Sequence, residues 1–176
     1  VQNLEALLAK LIQEIKETDA LLFFYSGHGT LNTQAPDVPF SLVGPQGEKI
    51  PFIALDRFFQ TVKAKGVALF IDACQSGALP DAYTKAFLLH RKAGINVFSS
   101  SYSEEASHES GALEHGVFTY ALLESAVSTG NPVTLRSLAE NLRQTAPEIY
   151  AKYGRSNGYP KILCTGSDFI LLSGGL

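Results

Sequence analysis

Two reactive side chains stand in small-residue clusters, each just after a short apolar run. His28 lies between Gly27 and Gly29 and follows Ala20 to Tyr25; Cys74 is trailed by Gln75, Ser76 and Gly77 and follows Val67 to Ile71. An imidazole beside a thiol is the pairing that a cysteine nucleophile needs, because a nearby imidazolium favours the thiolate. The flanking glycines permit positive φ and let a substrate chain approach closely. They leave the Gly29 N–H, with the Cys74 N–H as its companion, to meet a developing oxyanion; one such donor lowers the barrier by about 2.7–4 kcal/mol. Asp72 is two residues before Cys74, so on a strand both project to the same side. A carboxylate there is costly to bury unpaired, and an Arg or Lys side chain of a substrate would relieve that cost.

These groups meet only if the two apolar runs are neighbouring parallel strands with their carboxyl ends together, where open α/β sheets collect functional groups. The surrounding pattern agrees. Leu4, Leu7, Leu8, Leu11, Ile12 and Ile15 recur at helical spacing, with Asn3 as the expected cap. Residues 20–25 and 67–71 are apolar on both faces, as strands buried inside a parallel sheet are. Residues 30–50 read as a long loop, and Pro51 opens a helix with a Leu55, Phe58, Phe59, Val62 stripe that Gly66 ends. A helix over 82–92, a strand over 95–98 and a loop over 102–115 follow. Helices are expected at 116–127 and 134–153, the latter capped by Thr134 and kinked at Pro147. Strands over 160–164 and 169–172 complete the chain. The alternation predicts an α/β fold: a mostly parallel central sheet with helices on both faces, in one domain over residues 1–176.

The 176 residues carry a net charge of −3, with 45% apolar and 18% charged side chains. That balance suits a soluble folded domain and lacks the basic face that nucleic-acid binding requires, so no nucleic acid is expected as partner. The longest apolar run is far short of the roughly 20 residues that span a bilayer, so no membrane is expected either. Two cysteines make no disulfide framework, and no secretion signal is visible; the compartment expected is the reducing cytoplasm. Cys164 reads as apolar packing, and His90, His108 and His115 as solvated. The chain opens on Val1, which reads as a piece of something longer.

The segments Phe24-Tyr25-Ser26-Gly27-His28-Gly29 and Ile71-Asp72-Ala73-Cys74-Gln75-Ser76-Gly77 resemble the two catalytic motifs of the caspase-like cysteine peptidases. That signature pairs a cysteine in a Gln-Ala-Cys setting with a histidine about 50 residues upstream; here 46 positions separate His28 from Cys74. Asp72 in place of the Gln resembles the metacaspases and their prokaryotic relatives, the orthocaspases. Residues 98–109 and 116–124 are similar to segments that follow the nucleophile in bacterial members. The resemblance implies a caspase-like three-layer sandwich and cleavage after Arg or Lys through a thioester. It implies His28 as general base and acid, Cys74 as nucleophile, and Ser26 and Asp72 as the lining of a pocket for basic residues. Asp81 matches one calcium-binding acid of the family, but the 30–50 loop offers only Asp37 and Glu48, so no cofactor is expected to be required. The family fold opens with a strand that this chain lacks. An N-terminal fragment of the same protein or another copy is therefore an expected partner, beside protein or peptide substrates with basic residues. The alternative is a catalytically silent caspase-like scaffold or interaction module.

Overall fold

The computed structural model describes residues 2–31, 40–73, 76, 78–82, 94–100, 116–153 and 159–173. Two apolar runs form its first parallel pair. Strand β1 (Ala20–Ser26) and strand β5 (Gly66–Asp72) pair in parallel, Ala20 opposite Gly66 and Ser26 opposite Asp72. β6 (Asn96–Ser99) continues the parallel sheet on the far side of β5, and β8 (Lys161–Cys164) closes it antiparallel, in the order β1-β5-β6-β8.

β5 is buried along its whole length. Its odd-numbered side chains Val67, Leu69 and Ile71 join Phe52, Leu55, Phe58 and Phe59 in one core, against which Leu4, Leu8, Leu11 and Ile15 pack. Those residues come from α1 (Gln2–Glu14) and α2 (Phe52–Thr61), apart from Ile15 just beyond α1. The even-numbered Ala68 and Phe70 join Phe98, Val117, Phe118, Ala121, Leu138 and Leu142 in a second core on the opposite face. The helices there are α3 (Val117–Thr129) and α4 (Leu135–Tyr153). Helices therefore cover both faces of a mostly parallel sheet, the α/β layering that the alternation of elements predicts.

Several local expectations need correction. Residues 30–50 are not a plain loop: β2 (Gly29–Leu31), β3 (Phe40–Val43) and β4 (Lys49–Pro51) form a separate antiparallel sheet. Its strands are too short to show a period, and Gly47 at φ +80° turns the chain between β3 and β4. β1 is half-buried on one face and exposed on the other. It is the edge of the sheet, so Leu21, Phe23 and Tyr25 pack inward while Leu22 and Phe24 stay 52% and 53% exposed. Leu7 and Ile12 likewise face solvent, because the contact face of α1 is narrower than its apolar residues suggest. Asn3 lies inside α1 rather than before it, and α2 stops at Thr61, leaving Gly66 to open β5. Residues 78–82 are helical, while 83–92 of the expected 82–92 helix and the 102–115 loop lie outside the described residues.

At α4 the expected cap is present: the Ser137 N–H donates to Thr134 Oγ1 (3.2 Å) and the Thr134 N–H to Ser137 Oγ (2.9 Å), a reciprocal capping box. The helix runs through Pro147 without ending there. The last strand, β9 (Ile170–Leu172), leaves the main sheet and pairs antiparallel with β7 (Val133–Thr134). No helix among the described residues is long and apolar enough to cross a membrane.

Candidate active site

Parallel pairing in register brings the carboxyl ends of β1 and β5 side by side. The contact continues one residue past β1, where the Gly27 N–H donates to the Asp72 carbonyl over 3.0 Å. His28 follows immediately, exposed in the two-residue link between β1 and β2. Its carbonyl accepts the Val43 N–H (2.9 Å), and the Tyr25 hydroxyl lies 2.8 Å from that same carbonyl and 2.9 Å from the Val43 carbonyl. Burial pushes the Tyr25 hydroxyl above its ordinary pKa, more than its bond to Val43 lowers it, so it stays a donor. The histidine is thus carried on a backbone held from both sides.

Gly27 and Gly29 do not use the positive φ open to glycine. Among the described residues only Gly47 and Gly130 have positive φ. Gly27 leaves room for the tyrosine: a Cβ there would stand 2.7 Å from Tyr25 Oη, so the ring end would have to shift. Gly29 lies opposite Leu42, next to the position where the Val43 N–H bonds the His28 carbonyl. Antiparallel ladders alternate bonded and non-bonded pairs, so the Gly29 N–H is turned away from β3.

Cys74 lies outside the described residues, as do His90, His108 and His115. Its surroundings are described. Ala73 and Ser76 are fully buried, and the Ser76 N–H reaches back to the Ala73 carbonyl (3.3 Å). One hydroxyl, that of Ser100, accepts the Ala73 N–H (3.0 Å), donates to the Ala73 carbonyl (2.9 Å) and lies 3.3 Å from Ser76 Oγ. Ser100 itself follows β6, its N–H on the Ile71 carbonyl and its own carbonyl accepting the Tyr150 hydroxyl at 2.9 Å. Burial first, and then the charge of Asp72, push the Tyr150 hydroxyl far above its ordinary pKa, so it keeps its proton and donates. Ser100, Tyr150 and Tyr25 hold the backbone at these two strand ends, and their sequence context does not mark them for it. The one available signal was Tyr25 on an apolar strand, since a buried tyrosine hydroxyl needs a partner.

Asp72 ends β5 on the face covered by α3 and α4 and is 5% exposed. The Thr119 hydroxyl donates to its Oδ2 over 2.6 Å. Ser26, its register partner, is exposed at the end of β1. Asp81 is remote in role: its carboxylate takes the Lys161 ammonium as an ion pair. Among the described residues no group of three His, Cys, Asp or Glu side chains is placed to hold a metal ion. Cys164 is exposed at the end of β8 rather than packed in the core; partial desolvation of its sulfur pushes the thiol pKa up, with Arg143 and Arg136 opposing.

A layered α/β protein with a histidine segment and an aspartate-bearing strand end tied together at one rim has the frame of a rim-site enzyme. The model of the caspase domain matches residues 1–166, and the chain belongs to that family. The family is one of cysteine peptidases, a class of hydrolases, and the mixed α/β fold described above is the caspase-like one. No curated protein matches the chain.

Proposed function

We propose that this chain is a cysteine endopeptidase of the metacaspase type, acting in the cytoplasm and cleaving after Arg or Lys with a His28/Cys74 dyad. The single observation that carries the reading is the Gly27 N–H bond to the Asp72 carbonyl at the paired ends of β1 and β5. In sequence, His28 follows the junction by one residue on one side and Cys74 by two on the other, which supports the pairing.

In this reading His28 takes the Cys74 thiol proton, and the thiolate attacks the scissile carbonyl carbon. The Gly29 and Cys74 N–H groups stabilise the oxyanion. Collapse breaks the C–N bond, with His28 returning its proton to the leaving amine and an acyl thioester left on Cys74. Water, deprotonated by His28, then attacks the thioester and releases the new carboxyl end and the thiol. Asp72 supplies the charge that selects a basic substrate residue, with Ser26 lining the same pocket. No cofactor enters any step.

Peptide coumarylamides ending in Arg, Lys or Asp test the proposal on the full chain. Turnover after Arg and Lys that disappears in Cys74→Ala is expected. Turnover only after Asp, or turnover that survives Cys74→Ala, overturns it.

A second reading, a scaffold or interaction module, is favoured by one feature. The edge strand β1 exposes Leu22 and Phe24 together, and among the described residues no strand pairs with its outer edge; such an apolar edge invites another strand. The occupant in that reading is an N-terminal fragment of the same protein or a second copy. Light scattering decides: association that Leu22→Lys weakens supports it, and a monomer at every concentration argues against it.

A further inference from the structure

We propose that Thr119 and Gly116, at the start of α3, fix the aim of the Asp72 carboxylate and thereby set how strongly the site prefers a cationic substrate residue; this rests on the peptidase reading above. Threonine inside a helix commonly turns its hydroxyl back to a carbonyl of the preceding turn. Thr119 instead donates to Asp72 Oδ2 over 2.6 Å, within the range of charge-assisted O–H···O⁻ bonds. Gly116, just before α3, has no side chain to cap the helix, and the Asp72 carboxylate fills that space: a Cβ on Gly116 would stand 2.5 Å from Oδ2. The first turn of α3 also turns the positive end of its helix dipole toward this carboxylate. The oxygen is therefore held by a hydroxyl, by steric fit and by the helix field together.

The consequence for recognition follows from geometry. A guanidinium or ammonium is discriminated from a neutral side chain by a fixed negative charge, and a charge free to rotate discriminates less. Thr119 takes one of the roughly four lone-pair directions of a carboxylate and so fixes the plane in which the others point. Thr119 touches no substrate in this scheme; it is a positioning residue. A purely structural role, with Asp72 serving only to anchor α3, predicts instead that disturbing the pair lowers turnover of every substrate alike.

The test compares peptide coumarylamides ending in Arg, Lys or citrulline, the neutral isostere of Arg, on the full chain and its Thr119→Val, Thr119→Ser and Gly116→Ala variants. Thr119→Val is expected to raise KM for the Arg and Lys peptides about ten- to a hundredfold. kcat should change by less than about threefold, and kcat/KM for the citrulline peptide should stay put, so that the Arg/citrulline ratio falls. Thr119→Ser restores the ratio to within about threefold, whereas Gly116→Ala lowers it as Thr119→Val does. Should Thr119→Val fail to fold, the Ser and Gly116 variants decide between the two roles. An unchanged ratio in the valine and Gly116 variants, or equal losses on Arg and citrulline peptides, overturns the inference and leaves the peptidase reading intact. A wild type that cleaves after Arg no better than after citrulline overturns the reading itself, and the inference with it.

Discussion

The Gly27 amide and the Asp72 carbonyl, 45 positions apart in the chain, share a 3.0 Å hydrogen bond at the carboxyl ends of β1 and β5. The bond extends the parallel ladder past the end of β1. Everything proposed for catalysis is built around that junction: His28 beside it on one side, and Asp72 leading into Ala73 and Cys74 on the other.

The junction depends on the absence of a side chain at position 27. A methyl there would press within 2.7 Å of Tyr25 Oη, which cannot swing away without releasing the His28 and Val43 carbonyls. Gly27→Ala is expected to cost about 1–3 kcal/mol by overpacking and to lower kcat/KM. Adding Tyr25→Phe should return part of the loss by removing the colliding oxygen. Urea unfolding with parallel peptidase assays checks both; an alanine variant as stable and active as wild type would refute the argument.

Ser100 holds both backbone groups of the residue before Cys74. Ser100→Ala leaves the buried Ala73 amide and carbonyl without that hydroxyl. A loss of about 1–3 kcal/mol is expected by urea unfolding, with a fall in kcat because the Cys74 segment loosens. Tyr150→Phe, which removes only the bond to the Ser100 carbonyl, should cost about 1 kcal/mol.

Chelation should leave turnover unchanged. The Asp81 carboxylate is engaged with Lys161, in a pair whose side chains are 56% and 29% exposed. Asp81→Ala is therefore expected to cost less than about 1 kcal/mol, and peptidase rates should be equal with EGTA and with added calcium. A calcium-dependent rate that Asp81→Ala abolishes would show that the carboxylate has a ligand role.

The sequence displays some of this arrangement and hides the rest, for physical reasons. Strands β1, β5 and β6 are legible because strands of a layered sheet demand apolar runs, and the position of Asp72 at the end of β5 follows from where its run stops. Sheet order is not local information: the exposure of Leu22 and Phe24 follows from the edge position of β1, which apolar character alone does not reveal. β2, β3 and β4 are three or four residues each, too few to show a period among glycines and prolines. Ser100, Tyr150 and Thr119 matter through partners 27, 50 and 47 positions away, and serine, threonine and tyrosine give no sign in sequence of where their hydroxyls will point.

The central claim, that His28 activates Cys74, is tested most directly by the alkylation rate of each thiol with iodoacetamide, followed by peptide mass as a function of pH. Cys164 is the internal control. Its raised pKa leaves little thiolate at neutral pH, so its labelling should be slow there and rise only at alkaline pH. Cys74 is predicted to label quickly at about pH 6–7 and to fall to the Cys164 pattern in His28→Ala. Slow labelling of Cys74 with an alkaline onset in the wild type, or a fast rate that His28→Ala leaves unchanged, would contradict the dyad.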